Sequence, residues 1–469
     1  MNPALIRSAK LNGTGWAWFA LILAASTVFW RSFPDGGVPK LFFVYVLAAL
    51  ASVQLARCRK FDKLDWLIAA TVLYVGVSPL WAVDPQGSMA AALHWLAFGL
   101  IILAARRLPN EWPILAACLG SAAIILVAHS FVPTYFGGFG GENFETWWFV
   151  AAFPIFCAAF MEWPALASPV ILISAIYILF FNDAHVEIAP ISAWLLIIAL
   201  RAGKWGKWIA AVGVLIGAGL LIGLSPASVS YRLDLWAAAV EIWLSAPILG
   251  VGPGGFDTLY EAFASKATVT DSAVMVAGAA HSDALQLYSD LGLVGAALVA
   301  LTLWTALYER DGPMWPVFVV AGLFALAFID FPLQHPAVAL LGAIALGRCK
   351  PIPAGAPQSN IALVGTLALA VPLAAILLLA AGTIVQAQKY FALIPVALKQ
   401  NQPIAAHIFN ERSLAIWPYS KRARRELLRT ALASGADDAA VKRGISAAES
   451  AYRDNRQINQ LIALYRKEK

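Results

Sequence analysis

Charge is what this sequence has least of. Asp, Glu, Lys and Arg make up 13% of its 469 residues, while hydrophobic residues make up 61%. A soluble chain carries about 25% charged residues. A shortage this deep, spread over most of the length, excludes an ordinary soluble enzyme and predicts a polytopic membrane protein. Cysteine is scarce as well: Cys58, Cys118, Cys157 and Cys349 share no zinc or redox spacing. The six histidines form no HExxH or related motif, so no metal is expected. No small-x-small cleavage site precedes Arg31. The start MNPALIRSAK and the apolar GWAWFALILAASTVFW therefore read as an uncleaved first span rather than a signal peptide.

What is there in abundance is the apolar run. A bilayer-crossing helix needs about 20 mostly apolar residues. Candidates fall near 15–31, 38–56, 64–83, 88–105, 112–132, 144–161, 163–181, 188–201 and 205–224, then near 285–308, 314–331, 335–348 and 361–385. The segments 188–201 and 335–348 are short enough to be re-entrant, so the expected fold is all-α, a transmembrane bundle of twelve or thirteen spans.

Short cytoplasmic loops collect Lys and Arg. With the N-terminus inside, the inner loops hold fourteen: Arg7, Lys10, Arg57, Arg59, Lys60, Lys63, Arg106, Arg107, Arg201, Lys204, Lys207, Arg310, Arg348 and Lys350. The short outer loops hold only Arg31 and Lys40. This asymmetry places a long polar loop, 225–284, outside the cytoplasm. The expected division is a bundle over 1–385, that loop included, and a polar helical tail over 386–469, also outside. The net charge of +6 then reflects topology and tail rather than nucleic acid. In the tail, RARRELLRTALASGADDAAVKRGISAAESAYRDN reads as amphipathic helices around a Gly turn, packed on the bundle or lying along the membrane surface.

The spans have clean centres, with His94 the one clearly ionisable residue deep inside; an interhelical hydrogen bond accounts for it. Ion-coupled transporters keep such groups at mid-depth. Here the polar chemistry gathers at outer ends: His129 with GGFGGENFETWW, then Asn182, Asp183, His185 and Glu187, then Asp330 with His335, and finally His281, Asp283 and Asp290. Such a distribution suits a substrate anchored in lipid by its tail.

In the long loop, Ser228 or Ser230 can cap a helix whose Arg232, Trp236, Ala239 and Trp243 share a face, and Pro247 ends it. GVGPGGF follows, with Gly250, Gly252, Gly254 and Gly255. No βαβ unit surrounds these glycines, which excludes a dinucleotide fold. They fit a tight turn re-entering the bundle, pinned by Phe256, or a row of backbone N–H groups around an anion. Arg232 suits either snorkelling to lipid phosphates or a bidentate grip on a diphosphate.

Taken in order, Arg232-x-x-x-Trp236, PILGVGPGGF and HSDALQLYSDLGLVG resemble the signature of the O-antigen ligase superfamily, which comprises O-antigen ligases, O-antigen polymerases and protein O-oligosaccharyltransferases. The Asn143 turn, FGGFGGENFE, and DFPLQHP at 330–336 are similar to further elements of that group. At the place of the family's Ser-Arg-Gly element the chain reads FNDAHVEIAP, with no arginine; the resemblance leaves His185, in part, or an arginine of the tail to take its place.

The resemblance implies a metal-independent, cofactor-free, inverting glycosyltransferase of the bacterial inner membrane. It would move a glycan from an undecaprenyl-diphosphate carrier to an acceptor hydroxyl on a lipid-anchored glycan or a protein, on the periplasmic side, in surface polysaccharide synthesis. It implies His281 as the base and Arg232 as the diphosphate clamp. Asp283, Asp290, Trp236, His185 and Asp330 would support or orient them, and Gly250, Gly252, Gly254, Phe256 and Asn143 would form substrate turns. A polymerase or protein O-oligosaccharyltransferase differs in acceptor alone. A lipid-linked sugar flippase, or a non-catalytic carrier-binding scaffold, is the reading from another class.

Overall fold

The computed structural model describes residues 13–28, 37–56, 61–131, 142–180, 188–201, 208, 226–264, 279–352, 360–452 and 455–467. Among them every regular element is helical. The first eight long helices are α1 (Gly13–Thr27), α2 (Gly37–Leu55), α3 (Lys63–Val77), α4 (Pro85–Ala105), α5 (Trp112–Phe131), α6 (Glu142–Glu162), α7 (Pro164–Phe180) and α8 (Ile188–Arg201). The long loop contributes α9 (Pro226–Ser245) and α10 (Gly255–Phe263). Then follow α11 (Asp283–Tyr308), α12 (Trp315–Ile329), α13 (Pro336–Cys349), α14 (Asn360–Lys399) and four tail helices, α15 (Pro403–Ile416), α16 (Lys421–Ser434), α17 (Asp438–Ala451) and α18 (Arg456–Lys467).

Five helices among the described residues are long and apolar enough to cross a bilayer: Val38–Leu55, Lys63–Leu80, Pro85–Ala105, Asp283–Tyr308 and Thr366–Lys399. Shorter apolar helices, among them Trp315–Ile329 and Pro336–Cys349, pack between them. The expected span at 205–224 lies outside the described residues except for Trp208. The core joins α1, α2, α4, α5, α6, α12 and α13 through Trp18, Tyr45, Trp148, Phe149 and Phe156, all buried. Small residues such as Ala48, Ala51, Ala97, Ala104 and Ala345 are fully buried there, which lets helix backbones approach closely where lipid supplies no hydrophobic drive.

At one end of the bundle the basic residues are paired. Arg106 contacts Asp62 (2.6 Å) and Asp65, Arg107 contacts Asp65 (2.6 Å), Arg348 contacts Glu111 (3.0 Å) and Lys350 contacts Glu309 (2.7 Å). Asp62 caps α3 in a reciprocal capping box with Asp65. The Arg106 guanidinium holds the Asp62 carboxyl far below its ordinary range. These cations thus fasten α3, α4, α11 and α13 together, beyond any part in fixing orientation.

The opposite end carries the long loop and the tail. The last span was expected to stop at 385, but α14 runs unbroken over 40 residues to Lys399, through Pro372 and Pro395. At about 1.5 Å per residue that is roughly 60 Å, twice a hydrocarbon core of about 30 Å. Asn401, at φ 56, turns the chain into α15, where Ile394, Ala397 and Ala406 pack together. The tail helices then fold back. Ser420 caps α16, Gly435 at φ 66 closes it, and Asp437 caps α17, as the amphipathic pattern with its Gly turn predicts. The tail buries its own small core around Leu428, Val441, Ala448, Ile458 and Ile462.

Candidate functional site

The peptide entering α11 sits in a strained conformation. His281 has φ 46, one of two non-glycine residues with positive φ among those described. Such a conformation costs roughly 1–2 kcal/mol and persists only where surroundings impose it. Here they do. Trp236 Nε1 donates to the His281 carbonyl (3.2 Å), and Ser282 Oγ donates to the Ala327 carbonyl (3.2 Å). Asp283 N donates to the Asp330 carbonyl (3.0 Å), and Ser282 caps α11 by accepting from Leu285 N (3.2 Å).

The imidazole stands against Asp330, with His281 Nδ1 3.3 Å from Asp330 Oδ1. That is ion-pair range, although the alignment is not that of a formed hydrogen bond, and Oδ1 also accepts from Phe331 N at 3.1 Å. Catalytic hydrogen bonds in substrate-free structures are often this loose. Asp330 is 2% exposed and the His281 ring 29%, so the carboxylate is enclosed and the imidazole accessible. Phe331 meets the ring edge-on at 4.6 Å and Tyr231 at 5.8 Å.

Arg232 follows Tyr231 on α9, one turn before Trp236, so it shares a helix with both the tyrosine that touches the ring and the tryptophan that holds its carbonyl. α9 begins at Pro226, ahead of the expected serine caps. Its buried stripe is Leu235, Ala238, Ala239 and Ile242 rather than the arginine–tryptophan face. That leaves Tyr231, Arg232 and Trp236 partly exposed, with Tyr231 and Trp236 against the histidine.

Asp283 and Asp290 do not orient the imidazole. Asp283 Oδ2 accepts from Leu333 N (2.8 Å) and ties the start of α11 to the Pro332–Gln334 turn. Asp290 accepts from Gly254 N (2.9 Å) and Phe256 N (3.1 Å), at the N-terminus of α10. The glycine-rich turn therefore already has its acceptor, a carboxyl group of the protein itself. Gly250, Gly252 and Gly254 have φ of 73, 91 and 77, and Gly292, within α11, has φ 63. The Gly250 turn lies directly on the break at Gly292, with Val251 N donating to Ser289 O (3.0 Å) and Gly252 N to Asp290 O (2.9 Å). Phe256 is fully buried against Leu235 and Ala280, and pins the turn as expected.

His335 is buried next to this site. It is the residue immediately before α13. His185 and the Asn143 side chain lie outside the described residues, although the Asn143 backbone belongs to the first turn of α6. Among the described residues, no three His, Cys, Asp or Glu side chains are grouped to hold a metal ion.

Two residues at this end escaped the sequence reading, Lys421 and Arg424. Arg424 grips Asp84, the residue before α4, through both terminal nitrogens (3.0 and 2.7 Å). Lys421 reaches the Gly254 carbonyl, the Asp257 carboxylate and Thr258 Oγ1 (2.6 Å), and lies 3.5 Å from Asp84. Asn455 contacts Glu261. The tail is thus docked on the glycine-rich turn. Asp257 is pushed up by burial, against the downward pull of Lys421. The signal available was the charge of the first turn of α16, which reads equally well as a solvated face.

No family model matches the chain, and no curated protein matches it.

Proposed function

We propose that the protein is a membrane glycosyltransferase that moves a glycan from an undecaprenyl-diphosphate carrier to an acceptor hydroxyl at the periplasmic face, in the manner of the O-antigen ligases. The observation that carries this reading is the His281–Asp330 pair, 3.3 Å apart, at the end of apolar helices that suit a bilayer. A strained, accessible imidazole backed by an enclosed carboxylate is the arrangement of a general base.

Nδ1 faces Asp330, so Nε2 takes the proton from the acceptor hydroxyl. That oxygen attacks the anomeric carbon as the bond to the diphosphate oxygen breaks. The electron pair leaves with undecaprenyl diphosphate, and the configuration inverts. Arg232 neutralises the charge that grows on the departing diphosphate, a role its planar fork fills better than lysine. Diphosphate is a good leaving group, so placing the two reactants in line supplies much of the acceleration. An acceptor on a lipid-anchored glycan, a growing polysaccharide or a protein is served by the same chemistry.

The test is reconstitution in liposomes with a labelled undecaprenyl-diphosphate glycan and a candidate acceptor. Transfer by the wild type, lost in His281→Ala and Arg232→Ala, is the expected result. Equal transfer by all three removes the site. Label crossing the bilayer with no transferred product makes the protein a flippase.

A further inference from the structure

An open cavity of about 250 Å³ lies beside the first turn of α11, at Gln286. Its walls come from four places: Gly87, Ala90, Ala91 and His94 on α4, Gly254 and Asp257 at the glycine-rich turn, Gln286 and Gln334 beside the histidine, and Tyr419 and Lys421 from the tail. The α4 residues fall at i, i+3, i+4 and i+7, so one face of that helix is pared down to small side chains until His94 closes it. His94 stacks on Tyr45 at 5.9 Å, and its ring makes no hydrogen bond among the described residues. The interhelical hydrogen bond expected of it is absent there, and the ring faces the cavity instead.

The lining selects a class of ligand. Its one cation is committed: Lys421 is held by Gly254, Asp257 and Thr258, which leaves no charge for a phosphate. An acyl chain would strand two glutamines, a tyrosine and an imidazole against hydrocarbon. Carboxamides both donate and accept, which is what sugar hydroxyls require. Gln334 Nε2 donates to Gln286 Oε1 (2.9 Å), and Gln286 Oε1 also accepts from Ala280 N (3.1 Å), so the pair is fixed to the strained peptide that carries His281. Tyr419 is steadied by Trp417, edge-on at 4.9 Å, and offers a ring face.

We propose that this cavity binds a neutral sugar residue, the terminal unit of the acceptor, and that the docked tail supplies its outer wall. The assignment to the acceptor rests on the glycosyl-transfer reading above; binding of a neutral saccharide does not. The charged half of the substrate belongs with Arg232 on α9, and the neutral half belongs here. Lys421 then acts by positioning: it joins the tail to Gly254 and Asp257 and so holds Tyr419 over the opening.

The full chain in lipid nanodiscs is titrated with methyl glycosides of common hexoses and N-acetylhexosamines, read by saturation-transfer NMR, with inorganic pyrophosphate as competitor. At least one glycoside is expected to bind in the millimolar range without displacement by pyrophosphate. Ala91→Phe, which fills the cavity, and Tyr419→Ala, which removes its outer wall from a half-buried turn of the tail, are each expected to weaken binding at least about tenfold. No bound glycoside, displacement by pyrophosphate, or equal binding by both cavity variants overturns the proposal. Thermal melts confirm that each variant is folded before its binding is scored. Because the readout is binding, saccharide capture without transfer by the wild type rejects the transferase while leaving the subsite intact. Transfer without capture does the reverse.

Discussion

Arg424 and Asp84 are 340 positions apart in sequence and joined by two parallel hydrogen bonds of 3.0 and 2.7 Å, both side chains almost wholly enclosed. Breaking a buried pair by removing one partner typically costs about 3–5 kcal/mol, because the other charge is left without compensation. Arg424→Ala is therefore expected to release the tail from the bundle, seen as faster proteolysis after residue 400 and a lower melting temperature. Arg424→Lys should restore little, since lysine lacks the planar fork. Unchanged protease resistance in the alanine variant would show that other contacts hold the tail.

His281 combines strain with exposure, which separates its effect on stability from its effect on catalysis. His281→Gly should relieve roughly 1–2 kcal/mol of backbone cost while abolishing transfer. His281→Ala should lower kcat by about 10²–10⁴ without a gain in stability. Asp330→Asn should reduce kcat less than removal of the base. A transfer rate in His281→Gly near that of the wild type contradicts the assignment of the base.

Gly250 and Gly292 press backbone to backbone. A Cβ on Gly250 would meet Asp290 C at 2.5 Å, and one on Gly292 would meet Gly250 N at 2.5 Å, both at positive φ. Neither neighbour is a flexible side chain that can swing away. Gly250→Ala and Gly292→Ala are expected to destabilise by more than the about 1 kcal/mol typical of substitutions, with loss of folded protein in detergent. Gly435→Ala, also at positive φ but with open space around it, should cost only the conformational penalty.

Acid should loosen the end of the bundle remote from His281. The Asp62 pKa is depressed by hydrogen bonds from Arg106 and from the Asp65 backbone, so the folded state binds that proton less readily than the unfolded chain. The resulting stability is complete above the ordinary carboxylate value of 3.8 and declines as the pH falls below it. Melting temperature measured from neutral pH downward should therefore fall less steeply on the acid limb for Asp62→Asn than for the wild type. The two should differ most at neutral pH and converge in acid.

The helices themselves were legible because bilayer-length apolar runs announce themselves, and the glycine-rich turn because four glycines in six positions leave few other uses. Which of the three named carboxylates, Asp283, Asp290 or Asp330, stands behind His281 was not. Asp283 and Asp290 are nearer in sequence, yet Ser282 caps α11 and swings Asp283 onto the Leu333 amide, while the kink at Gly292 turns Asp290 toward α10. Asp330 arrives from the end of α12, and only tertiary packing brings it there. The docking surface of the tail was hidden for a different reason. Lys421 and Arg424 lie among five charged residues in the six positions 421 to 426, KRARRE, where charge by itself does not distinguish solvent from a distant aspartate.

The uninterrupted α14 makes the tail a lever with a fixed phase. Each residue added to a helix turns everything beyond it by about 100°, and α14 ends only a short turn before the tail begins. One alanine inserted in its exposed upper stretch would swing Tyr419 and Lys421 away from the wall they complete, whereas a near-integral number of turns would return them to their bearing but lift them off it. Rotary alignment, set by residue count along a single rod, thus couples the apolar helical bundle to the tail helices docked on its glycine-rich turn.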